Sequence, residues 1–113
     1  MSMTPDDIRR IALSFPEAME ADHHGMPSFR VGGKIFATIH IAHPRMMARL
    51  DPEDQHNLTE AHPGVVEPVP GAWGRGGSTF IWYERADGDL VHLALDLAWR
   101  GRAPKRLLAL FPQ

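Results

Sequence analysis

Apolar and polar positions follow two different periods along this chain. Ile8, Ile11, Ala12 and Phe15 recur at the i, i+3, i+4, i+7 spacing of one helix face. Thr4 precedes them as a capping residue, Pro5 suits the first helical position, and Asp7 stands where a capping box puts its acid. Pro16 closes the segment, because the residue before a proline avoids the helical region. The period then shortens. Two strand-like runs flank Gly32-Gly33, and two glycines in a two-residue gap mark a tight hairpin. Such a turn sets Val31 opposite Lys34 and Phe29 opposite Phe36. It predicts one sheet face of Phe29, Val31, Phe36 and Thr38 and another of Arg30, Ile35, Ala37, Ile39 and Ile41. Both faces are substantially apolar, so both are expected to be covered, by a helix on each side or on one side by a partner subunit.

Further along, Met46 to Leu50 reads as a strand. Asp51-Pro52-Glu53-Asp54 repeats the cap-plus-proline helix start, and Pro63-Gly64 ends that short helix. Val65 to Val69 reads as a strand that Pro68 confines to a sheet edge. Thr79 to Tyr83 is another strand. From Asp87 onward Leu90, Leu93, Ala94, Leu97 and Ala98 return to the helical period, widened by Val91, Leu95 and Trp99, which predicts a helix buried on most sides. These elements predict one α+β domain over residues 1–113: an antiparallel sheet of about five strands with an N-terminal helix, a short middle helix and a C-terminal helix.

Composition narrows the class. The chain has 113 residues, is 43% apolar and 23% charged, and so has the balance of a globular domain with a single core. It has no cysteine, which excludes disulfides and thiolate metal sites and makes a reducing cytoplasm the natural expectation. No apolar run reaches the roughly 18 residues of a membrane helix, and the acidic opening Met-Ser-Met-Thr-Pro-Asp-Asp is unlike a secretory leader. The net charge of −2 excludes a bulk polycation, but the charge is uneven. Residues 1–70 balance to −4 and residues 71–113 to +2, and Arg100, Arg102, Lys105 and Arg106 follow one another with no acid among them. Attraction to a polyanion must therefore come from a local patch.

The candidate chemistry is sparse. Seven histidines include His40 and His43, the adjacent pair His23-His24, and His56 and His62. Zinc needs three or four converging ligands, and adjacent histidines on an extended chain point apart, so no metal or cofactor is expected. His92, Asp96 and Arg100 form a polar stripe in which Asp96 can bridge its neighbours; no nucleophile accompanies it, so it reads as the edge of a buried helix rather than a catalytic group. The glycine-rich stretch Gly71 to Gly77 lacks the lysine and helix of a phosphate loop, and reads as a turn that brings Trp73 back onto the sheet. The nucleic-acid candidates are Arg30, Lys34 at the hairpin tip, Trp73 and Arg75 in the glycine-rich loop, and Arg100, Arg102, Lys105 and Arg106 near the C-terminus.

In order, the helix ending at Phe15-Pro16, the run Pro27-Ser28-Phe29-Arg30-Val31-Gly32-Gly33-Lys34-Ile35-Phe36-Ala37, and Leu50-Asp51-Pro52-Glu53-Asp54-Gln55 form a series. It continues with Gly71-Ala72-Trp73-Gly74-Arg75 and with Ala98-Trp99-Arg100 leading into Ala103-Pro104-Lys105-Arg106-Leu107. This ordered set resembles the MmcQ/YjbR family of small bacterial proteins. The resemblance implies a double-wing, CyaY-like α+β fold and DNA binding, and it brings no catalytic residues. The leading expectation is a small cytoplasmic, non-enzymatic DNA-binding protein that uses a hairpin wing and a basic C-terminal patch. The alternative is a protein-interaction or small-ligand module, as a homodimer.

Overall fold

The computed structural model describes residues 2–110. Helix α1 (Pro5–Leu13) leads into strands β1 (Met19–His23), β2 (Met26–Val31), β3 (Lys34–His40) and β4 (Arg45–Arg49). Helix α2 (Pro52–Ala61), strand β5 (Val66–Pro68), the short helix α3 (Ala72–Arg75) and strand β6 (Ser78–Ile81) follow. A 3-10 turn (Tyr83–Arg85), the long helix α4 (Gly88–Arg102) and the short helix α5 (Lys105–Leu108) complete it. The strands form a single antiparallel sheet in the order β1-β2-β3-β4-β6-β5. The α+β architecture is as expected, with six strands instead of about five. The added strand is β1, whose Met19-Glu20-Ala21-Asp22-His23 is short, two-fifths apolar and nearly all exposed, and is held as an edge by its backbone pairing to β2.

The helix starts follow from their caps. The Thr4 side chain accepts from the Asp7 amide, and the Asp7 carboxylate accepts from the Thr4 amide in return. The Asp51 and Asp87 carboxylates cap α2 and α4 one-way, by accepting from the amides of Asp54 and Leu90. Pro68 lies in the edge strand β5, where its missing N–H breaks no ladder.

The hairpin between β2 and β3 has both glycines at positive φ, +58° at Gly32 and +79° at Gly33, as a two-residue turn with right-handed strand twist demands. Val31 pairs with Lys34 as expected. Beyond Arg30–Ile35, however, the register shifts, and Phe29 pairs with Ala37 instead of Phe36. Phe36 is the extra residue of a β-bulge, and a bulge sends two neighbouring side chains to the same side. Phe36, Ala37 and Ile39 all join Phe29 and Val31 in the core, while Ile35, Thr38 and His40 turn to the other face.

All the long helical packing falls on one face. Helix α4 lies across β3 and β4, and α1 packs against α4. Trp99 is fully buried there, stacked on Phe15 with ring centres 5.9 Å apart, and its indole N–H donates to the Pro16 carbonyl at 3.1 Å. The expectation that a helix covers each side is therefore corrected. The bulge moved Ala37 and Ile39 to the helix side, so the second face keeps fewer apolar residues than expected, with Met26, Ile35, Met47 and Phe80 remaining on it. Ile41, assigned to that face, lies beyond β3 and is exposed.

Candidate functional site

Strand alternation decides what the uncovered face carries. Along β4, Met46 and Ala48 are buried under the helices, so Arg45, Met47 and Arg49 point the other way. Ile35, Thr38 and His40 of β3, Met26 and Arg30 of β2, and Ser78 and Phe80 of β6 share that side. Trp73 of α3 and Val69 stand at its edge. Together they enclose a groove of about 490 Å3, with Met26, Ile35, Met47, Phe80 and Trp73 as apolar lining and Thr38, Ser78, Arg49, His23 and His40 as polar groups. Among the described residues no carboxylate lines it. Glu67, which pairs with Phe80 across β5 and β6, accepts a 3.0 Å bond from the Trp82 indole.

The polar groups differ in how they are satisfied. Arg49 donates from Nη1 to the Ser78 hydroxyl at 3.0 Å. The Arg45 guanidinium lies 3.8 Å from the Phe80 ring centre, stacked on it as a cation on a π face, and its buried Nε has no hydrogen-bond partner. His40 meets the same ring edge-on, at 5.5 Å. Burial, followed by the nearby charges of Arg45 and His43, holds the His40 imidazole below its ordinary pKa. Thr38, at the floor, is 3% exposed, and its hydroxyl oxygen has no partner in the protein.

Arg49 also borders a second cleft at the same end of the sheet, of about 440 Å3, with Arg100, Arg102, Asp51, Asp54 and Gly76. Burial, and then proximity to Arg49, lowers the Arg102 pKa. Arg49 is therefore the link between an apolar groove and a cleft rich in guanidinium groups.

The expected site residues are dispersed over this frame. Arg30 lies on the open face, its Nε donating to the Ser28 hydroxyl at 3.3 Å. Trp73 is 72% exposed at the groove's rim; it borders the sheet without packing into the core, because α3 is only four residues long and is anchored elsewhere. Arg75 ends α3 and is exposed. Lys34 is exposed, but the hairpin turn beside it does not stand free: a side-chain carbon on Gly32 would sit 3.1 Å from the Pro104 ring. That contact puts Lys34 and Lys105 in one neighbourhood. Arg106 is held by a forked pair to Glu17, both bonds 2.7 Å, and Arg100 donates to Asp96 at 3.0 Å. Asp96 does not bond His92, whose ring lies against Phe15 instead. Arg102 lines the second cleft.

Arg45, Arg49, Thr38, His40 and Phe80 were not anticipated. A signal for part of this set exists in Arg45-Met46-Met47-Ala48-Arg49-Leu50, where the two cations stand four residues apart and so share one strand face with Met47. Among the described residues no group of three or more histidines and carboxylates is placed to hold a metal ion, and no helix is long and apolar enough to cross a membrane.

One helix-covered face, one open face and an antiparallel order define a small α+β protein built around a half-covered sheet. A family model described as YjbR matches residues 13–101, and the chain belongs to the YjbR family. Its structure is similar to the crystal structure of protein DR2400 of Deinococcus radiodurans, described with the family-model domain DUF419. That similarity has a TM-score of 0.73 and 22% sequence identity, over 87% of this chain and 77% of that one. At that identity the likeness establishes a shared fold. No curated protein matches the sequence.

Proposed function

We propose that this protein binds nucleic acid on the uncovered face of its sheet. The observation that carries the reading is the set of cations on that face: Arg49 lines the groove beside Met47 and Phe80, Arg45 stacks on Phe80, and Arg30 lies on the same face bonded to Ser28, while among the described residues no carboxylate lines the groove. Nucleic-acid surfaces need cations for phosphates and flat apolar groups for bases, in reach of one another. Lys34, Arg75, Arg102 and Lys105 extend the positive surface beyond the sheet, whereas Arg106 is committed to Glu17. The binding surface proposed here is thus centred on the sheet, with the C-terminal cations at its margin.

Fluorescence anisotropy of labelled oligonucleotides across a salt series tests this. Log affinity falls with log salt, and Arg49→Gln reduces the slope by roughly 0.7 to 0.9, the contribution of one lost phosphate. Absence of salt-dependent binding to any single or double strand at low ionic strength refutes it. A second reading, a small ligand in the groove, draws on its volume, which lies in the roughly 300–1,000 Å3 range of small-molecule sites.

A further inference from the structure

The groove's geometry says which form of nucleic acid fits it. We infer that it receives an unpaired base of a single strand, with Thr38 hydrogen-bonding the base edge and Arg49 holding a neighbouring phosphate. This inference rests on the nucleic-acid reading above.

Depth is the first argument. The floor of the groove is the sheet itself, at Thr38 and Ser78, and its walls are side chains of β3, β4 and β6. A duplex keeps its bases stacked and paired inside a rigid cylinder and exposes only their edges. A single strand can turn a base out and lay its face on an aromatic or methionine wall. Trp73 offers the exposed aromatic face, while Phe80, 7% exposed under Arg45 and with His40 at its edge, adds only its margin to the lining. Trp73, at the rim and mostly exposed, is free to close over a base or stack on the next one.

The second argument is the unspent hydroxyl. A threonine hydroxyl both donates and accepts, and buried polar groups in folded proteins almost always have a partner. Thr38 is buried, lines the groove and has none within the protein. An apolar side chain would fill that place without a penalty. A base edge carries donors and acceptors in its ring plane, which suits a single polar group on an otherwise apolar floor.

The third argument is charge placement. Arg49 reaches from the groove to the Arg102 cleft, with one N–H already fixed on Ser78 and no carboxylate bonded to it. A phosphate at this junction meets the Arg49 and Arg102 guanidinium groups directly beside the apolar groove; Asp51 and Asp54 line the same cleft, with the Asp51 carboxylate engaged by the Asp54 amide as the cap of α2. The cations that would track a duplex from a protruding ridge are placed otherwise. The hairpin turn beside Lys34 abuts Pro104, Arg106 is forked onto Glu17, and Arg100 is bonded to Asp96.

Anisotropy with one sequence in three forms decides the matter: a labelled single strand, its duplex, and the same strand with abasic positions. The single strand binds at least tenfold tighter than the duplex, and the abasic strand loses most of that advantage. Thr38→Val weakens single-strand binding about fivefold with an unchanged salt slope, while Thr38→Ser restores it. Arg49→Gln lowers the slope by roughly 0.7. Melting curves of each variant confirm folding; Thr38→Val should fold, because the hydroxyl it removes has no protein partner. A duplex or an abasic strand that binds as tightly as the intact single strand overturns this inference and leaves nucleic-acid binding standing. Unchanged affinity in Thr38→Val refutes the assignment of the floor. Failure of all three strands to bind removes both readings at once.

Discussion

Replacing Gln55 by leucine tests how the site is held in place. Gln55 sits on α2, is 8% exposed, and reaches across to the segment that carries Trp73 and Arg75. Its amide nitrogen donates to the Gly74 carbonyl at 2.9 Å, the Ser78 carbonyl at 3.0 Å and the Thr79 hydroxyl at 3.2 Å. Two N–H groups serve three acceptors, so one bond is shared. Each carbonyl keeps a second donor when Gln55 is lost: the Gly77 amide on Gly74 and the Val69 amide on Ser78, both at 3.0 Å. The larger penalty for a wholly orphaned acceptor is therefore avoided, and the cost is about 1 kcal/mol per bond, or about 2 kcal/mol for Gln55→Leu. For a chain of this size that lowers the melting midpoint by roughly 8 °C. Gln55→Glu sharpens the test. A protonated glutamic acid can still donate one bond, but a carboxylate would face three oxygens, so its folded pKa is raised above the unfolded value near 4.3. A group raised in this way stabilises the fold at low pH and loses that contribution as pH climbs past the unfolded value. The gap between wild type and Gln55→Glu should widen from about pH 4 to pH 7, measured by thermal or urea unfolding. A midpoint shift under roughly 2 °C for Gln55→Leu, or a Gln55→Glu deficit independent of pH, would refute the reasoning.

Trp99→Ala should cost on the order of 3–5 kcal/mol in urea unfolding, since the whole indole is buried between Phe15 and the sheet; a loss under about 1 kcal/mol contradicts that packing. Gly74→Ala should prevent accumulation of folded protein, because the new carbon would run into the Val69 carbonyl, whereas Gly33→Ala, with open space around it and φ of +79°, should cost only about 1–2 kcal/mol. Equal melting points for the two glycine variants would argue against that close approach. The lowered pKa of His40 means that the unfolded chain takes up its proton first, so this residue's contribution to stability is present above about pH 6.5 and lost as pH falls below it. His40→Gln should flatten that acid limb of the stability profile, and an unchanged limb would show that His40 is not its source.

The helices and the core were legible because local signals and tertiary packing agree. Thr4, Asp51 and Asp87 cap where their side chains predict, and Ile8 and Ala12 of the expected α1 face are buried; on α4 the buried face is Leu90, Val91, Ala94, Leu95, Ala98 and Trp99, while Leu93 of the expected stripe is exposed and Leu97 half-buried. Pro68 marks an edge strand for the same reason that proline is barred from central ones. Strand β1 was illegible because an edge strand needs only backbone pairing, and its side chains are nearly all exposed. The site was read incompletely for a different reason. Charged residues are easy to see in a sequence, but whether each is available depends on partners far along the chain: Glu17 lies 89 residues from Arg106, and Ser78 lies 29 from Arg49. Thr38 was placed on the wrong face because the period-2 rule carries a one-residue bulge forward as a complete inversion.

That inversion links fold to chemistry. Continue the regular register from Lys34, and Thr38 faces the helices with Phe36, while Ala37 and Ile39 face out. The core would then hold a hydroxyl, and the open face would carry two more apolar side chains in place of it. The bulge at Phe36 reverses both assignments within four residues: Phe36, Ala37 and Ile39 go to the core, and Thr38 goes to the groove floor with His40 beside it. A bulge leaves a backbone position unpaired and so costs stability in the ladder. Here the fuller core offsets that cost, and the groove receives a polar group at its base as the direct consequence. The position of the hydroxyl is therefore set by the same feature that lets a sheet rich in apolar residues leave one face uncovered.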